Sequence, residues 1–107
     1  MAEKPCNLLK NGGGMNEAPF TKVIEVTSPS TADSNVTVYN GLTADMNITN
    51  IYGTLKTSAG AVYAINSSLF DTNNYNAVWR RNNTDLGMRV GVSHTNCATR
   101  IVIEYTK

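Results

Sequence analysis

The single histidine, His94, stands three residues before Cys97 in "VSHTNC", a spacing that raises the question of a thiolate nucleophile with an imidazole base. That chemistry needs the two side chains within hydrogen-bond reach and a third group to orient the base. A metal centre needs three or four ligands, and no second cluster supplies them. His94 is therefore read as a solvated turn residue. The acidic side chains are thinly spread, with Asp33, Asp45, Asp71 and Asp85 in turn-like stretches and Glu25 and Glu104 on candidate strands. Glycoside hydrolysis asks for two carboxylates facing each other across a cleft, for which a compact domain of this size has little room. The expectation is a protein that is not an enzyme and uses neither cofactor nor metal.

Oxygen donors gather in "DTNNYN", residues 71–76. A calcium loop of the EF-hand kind would need ligands at alternate positions, a central Gly and a closing Glu, whereas here Tyr75 replaces a donor and both the Gly and the Glu are missing. Two readings remain. One is a polar β-turn. The other is saccharide contact, with Asn73, Asn74 and Asn76 hydrogen-bonding hydroxyls and Tyr75 or Trp79 stacking on a sugar face. Glycosylation triplets begin at Asn35, Asn47, Asn66 and Asn82, but their use requires secretion, and a chain this rich in Asn, Thr and Ser contains such triplets by chance.

Alternation of apolar residues places these groups. "TKVIEVT" sets Ile24 and Val26 around an outward Glu25, and "NVTVYN" puts Val36 and Val38 on one face. "MNITNIYGTLKT" starts with Met46 and Ile48 in phase, then slips by one to Ile51, Gly53 and Leu55, which predicts a bulge or a strand bending between two sheets. "AVYAI" and "AVWRR" are shorter candidates, the second carrying the only tryptophan, Trp79, as a core or rim anchor. "LGMRVGV" aligns Leu86, Met88, Val90 and Val92 on one side and Gly87, Arg89 and Gly91 on the other. "RIVIEYT" turns Ile101, Ile103 and Tyr105 inward. Stretches rich in Asn, Asp, Gly, Pro and Ser separate these runs. The pattern predicts an all-β fold, an antiparallel β-sandwich or small jelly roll of about seven strands. Glycines on the outward face of a strong strand mark close approach of another backbone, so Gly87, Arg89 and Gly91 form a candidate oligomer face.

The chain has 107 residues, of which 41% are hydrophobic and 16% charged, with a net charge of +1. That length supports one domain, and the polar surface must come from Asn, Thr and Ser. The basic residues are scattered apart from Arg80-Arg81, so nucleic acid is not an expected partner. No apolar run is long enough for a membrane span, and no signal-peptide core opens the sequence. The two cysteines, Cys6 and Cys97, are expected as free thiols in a reducing compartment; a bridge between them would tie the head of the chain to its body.

Residues 1–20 fit no strand. Within "CNLLKNGGG", Cys6, Leu8 and Leu9 offer a small anchor, and the glycines make a flexible joint. The division expected is a docking arm over 1–20 and a β-sandwich domain over 21–107. With "GTLKTSAGAVYAI" and the terminal "TRIVIEYTK", this arrangement resembles small structural proteins of bacteriophage virions: decoration proteins, head fibres and tail-fibre tip domains. The resemblance implies synthesis in a host cytoplasm, localisation to the virion, and an arm anchored on a capsid or tail protein. It also implies homo-oligomers, commonly trimers, that display the β-domain outward for attachment to a cell surface. A carbohydrate-binding module or small lectin is the alternative, with a surface glycan held by Tyr75, Trp79 and the Asn-rich loop.

Overall fold

The computed structural model describes residues 20–66 and 72–107. Residues 1–19 of the proposed arm, with Cys6, Leu8 and Leu9, and Asp71 of the Asn-rich loop lie outside them; Phe20, expected as the last residue of the arm, instead opens the first strand because it pairs with Tyr105. Seven strands form: β1 Phe20–Thr27, β2 Val36–Tyr39, β3 Asn47–Lys56, β4 Val62–Ala64, β5 Asn76–Arg80, β6 Leu86–Val90 and β7 Ala98–Thr106. A single 3-10 turn, Val92–His94, interrupts the run from β6 to β7. They make two antiparallel sheets, ordered β1-β7-β3-β4 and β2-β6-β5. Only β3–β4 and β5–β6 are neighbours in both sequence and sheet; the other connections cross from one layer to the other.

The core lies between the layers. Ile24, Leu55, Ile101 and Ile103 from the four-stranded sheet meet Val78, Leu86, Met88 and Val90 from the three-stranded one. Period-two alternation produces this burial, because a strand's odd and even side chains leave on opposite faces. Leu42 and Met46, in the connection before β3, close one end of the core.

The phase slip expected in the third strand is a bulge. β3 shifts register against β7 between Ile48 and Asn50, and the hydroxyl of Thr49 donates to the Glu104 carbonyl 3.1 Å away. Gly53 sits in the same strand at φ +148°, where a Cβ would lie 1.9 Å from the Arg100 carbonyl oxygen. Val92 departs from expectation: the strand ends at Val90, the chain turns, and Val92 is 60% exposed instead of sharing the inward face of Val90. Among the described residues no helix is long and apolar enough to cross a membrane.

Strand directions divide the sandwich into two poles. Phe20 pairs with Tyr105 and Asn47 with Thr106, so the start of β1, the end of β7 and the start of β3 lie together. There the Phe20 ring stacks on Tyr105 at 5.4 Å, and the Lys107 ammonium lies 5.5 Å from the Phe20 centroid. Thr27 pairs with Ala98 at the opposite pole, and Asn76 pairs with Val90 at the matching end of the other sheet. The 28–35, 72–75 and 91–97 connections therefore gather at the pole far from Phe20. With eight residues in β1 and a rise of about 3.4 Å per residue, the poles are about 25 Å apart.

Candidate functional site

The outer face of the three-stranded sheet brings together residues that are scattered in sequence. On β6 the outward positions are Gly87 and Arg89, continued by Gly91; on β5 they are Ala77 and Trp79, preceded by Tyr75. Register sets Trp79 beside Gly87 and Ala77 beside Arg89, while Thr37 of β2 flanks Gly87 on the other side. Glycine at position 87 leaves room for the aliphatic stem of Arg81 and the Trp79 indole, which a Cβ would meet at 2.5 and 3.0 Å. A Cβ on Gly91 would meet the Asn73 carbonyl oxygen at 2.5 Å and the Tyr75 ring at 2.9 Å. The close approach that these glycines signal is thus made by the chain's own Arg81, Trp79, Asn73 and Tyr75. It supplies no reason to place another subunit there.

A polar chain fixes Arg89. The Tyr75 hydroxyl donates to Asp33 Oδ1 at 2.5 Å and accepts from Arg89 Nε at 3.1 Å. Arg89 Nη1 donates to Asn35 Oδ1 at 3.3 Å, and one strand over, Arg81 Nη1 donates to Thr37 Oγ1 at 3.1 Å. The bond to Asp33 is the main cause that raises the Tyr75 phenol above its ordinary value, with Arg89 opposing it. Asp33 takes φ 58°, a left-handed conformation that Asp tolerates.

Of the saccharide candidates, Tyr75 and Trp79 share this face, and Asn73 and Asn74 stand at its far pole. Asn76 does not belong with them. Alternation turns it inward, where it is 2% exposed. Its Oδ1 accepts from the Asn66 backbone N–H at 2.9 Å, and its Nδ2 lies 3.4 Å from the Ala64 carbonyl and 3.3 Å from His94 Nδ1. Asn66 in turn accepts from the Val78 N–H at 2.6 Å, so paired asparagines join the free edge of β5 to the end of β4. Asn76 is a structural polar group, not a sugar contact.

His94 also differs from expectation. It is fully buried, not a solvated turn residue. The 3-10 turn folds it inward against Tyr63, at a ring-centroid distance of 4.7 Å. Because the Asn66 N–H claims the Asn76 oxygen, the Asn76 amide nitrogen faces His94 Nδ1 and makes it an acceptor, which selects the neutral Nε2–H tautomer. Burial pushes the His94 pKa down, against a smaller upward effect from a hydrogen bond with the Tyr75 backbone. Ser28 completes the assembly: its hydroxyl donates to the His94 carbonyl at 2.6 Å and accepts from the Cys97 N–H at 2.7 Å. Cys97 is a free, buried thiol that points at the Thr95 carbonyl, 3.3 Å away, and burial raises its pKa. The pair that first suggested nucleophilic chemistry is therefore an imidazole locked to an amide and a thiol held protonated.

Sequence reasoning missed Asp33, Asn35, Arg81 and Ala77. The first two reach the site across 42 and 54 positions of chain, a pairing that no local pattern encodes. Ala77 was legible: Tyr75, just before β5, and Ala77 and Trp79 within it follow one another at period two. Among the described residues no group of three or more His, Cys, Asp or Glu could hold a metal ion. No family model, curated protein or solved structure matches the chain.

Proposed function

We propose that the protein is a non-enzymatic virion component, attached through its N-terminal arm to a capsid or tail protein and displaying the β-domain outward as a homo-oligomer, with a trimer the expected assembly. One observation carries the reading. The chain enters the sandwich at Phe20, at the pole opposite the 28–35, 72–75 and 91–97 connections. A tether at one pole leaves the other facing away from the support. Burial of His94 and the protonated state of Cys97 fit a structural rather than a catalytic role.

Two measurements test this. In particles purified on a density gradient from the source culture, the full chain is expected to band with the particles, and a version beginning at Asn16 to stay at the top. Equal banding of both would refute attachment through the arm. Light scattering of the same two proteins, under reducing conditions, reports assembly; monomers in both would remove the oligomer.

A second reading has its own support. Tyr75 and Trp79 lie on one face with fixed polar groups between them, which suits a carbohydrate-binding domain. The two readings are compatible, because a displayed domain can hold a surface glycan.

A further inference from the structure

We infer that the saddle over Ala77, on the outer face of the three-stranded sheet between Tyr75 and Trp79, is a binding site for a neutral oligosaccharide. This rests on the saccharide reading and moves it from the asparagine loop to the sheet face. From Tyr75, just before β5 and still paired to Gly91, into the strand, the outward positions are aromatic, small, aromatic. With a rise of about 3.3 Å per residue, the two aromatic positions are about 13 Å apart, a span that suits a short run of linked pyranose rings. Each aromatic lies against a glycine, Tyr75 on Gly91 just past the end of β6 and Trp79 on Gly87 beside the Arg81 stem. Ala77 contributes only a methyl between them.

The polar partners are already oriented. Arg89 stands directly across from Ala77, held at Nε by the Tyr75 hydroxyl and at Nη1 by Asn35. Its remaining N–H groups are donors beside the saddle, and the Asp33 carboxylate behind Tyr75 is an acceptor. A pyranose offers an apolar C–H face for the aromatics and hydroxyls that both donate and accept, which matches a donor and an acceptor set side by side. Charge selects among saccharides. Asp33 offsets Arg89, and Asp85 lies close enough to Arg81 for that guanidinium to lower its pKa, so the face carries no net charge to draw a carboxylated or sulfated chain. Groups held before binding also reduce the ordering cost that weak glycan contacts must overcome.

The test is an array of neutral gluco-, galacto-, manno- and N-acetylhexosamine oligosaccharides beside sialylated and uronate-containing ones, followed by calorimetric titration of the best binder. Ala77→Trp fills the saddle on a strand surface that accepts large side chains, Trp79→Ala removes one wall, and Lys56→Ala on the other sheet is the control. Binding to neutral glycans is expected, weakened about tenfold or more by Ala77→Trp and by Trp79→Ala, with Lys56→Ala unchanged. Binding that persists in Ala77→Trp would remove the ligand from this face, and preference for acidic glycans would overturn the charge argument. Binding to no glycan would remove the saccharide reading itself. None of these outcomes bears on particle attachment, which the gradient experiment decides separately.

Discussion

Acidification from about pH 7.5 to about pH 5.5 is expected to cost this fold up to about 1.4 kcal/mol through His94 alone. The unfolded chain protonates its single histidine below the ordinary value of 6.5. The folded chain resists, because the ring is fully buried, its Nδ1 accepts from Asn76, and its pKa is pushed down. Unfolded molecules therefore bind more protons over this window, so stability is fully present above pH 6.5 and declines as the pH falls. If the folded imidazole stays neutral throughout, the loss is RT times the logarithm of a tenfold ratio, which is the figure above. It corresponds to about 5 to 10 °C in Tm for a domain of this size. The side chains packed on the ring are those of Tyr63 and Asn76. Asp45 and Asp85 have pKa values already below the ordinary carboxylate value, held down by Thr43 and by Thr84 with Asn82, so they contribute only at more acidic pH. Urea unfolding at the two pH values, on the wild type and on His94→Leu, measures the effect. Equal stability at both pH values, or the same slope in His94→Leu, would refute the reasoning.

Three further outcomes follow from the packing. Gly53→Ala would drive a Cβ to 1.9 Å from the Arg100 carbonyl oxygen at φ +148°, and should cost about 3 kcal/mol or more in urea unfolding; a loss under about 1 kcal/mol would mean that β3 and β7 are not in this register. With Cys6→Ser as background, Cys97 should react with an aromatic disulfide reagent only as fast as the protein opens, because its thiol is buried and its pKa raised; labelling at the rate of a free peptide thiol would contradict the burial. Arg80 donates to the carbonyls of Met46, Thr43, Asn82 and Asn83, so Arg80→Ala should cost about 2 kcal/mol. Arg80→Lys should recover only part of it, since an ammonium cannot span the same fork.

How far these features could be read in the amino-acid order depends on the range of the interaction behind each. The strands were legible because alternation is local: Leu86, Met88 and Val90 announce one buried face, and Ile101 and Ile103 another. The bulge was legible because a one-residue slip from Ile48 to Ile51 reverses the faces of everything after it. Val92 was misread because its phase matches β6, yet the chain must turn at Gly91 to let Asn73 and Tyr75 approach.

Residue identity along the chain thus specifies an all-β sandwich of seven strands and the direction each side chain leaves its strand, since both follow from a period of two and from turn chemistry. It does not specify who meets whom across the sheets. Whether an outward glycine faces a second subunit or its own Trp79, whether His94 is solvated or locked to Asn76, and whether Asp33 reaches Tyr75 depend on strand order and register. Those are decided by the joint packing of residues far apart in the chain. The Ala77 saddle shows both halves: period two puts Tyr75, Ala77 and Trp79 on one line, and antiparallel pairing with β6 sets Arg89 beside them.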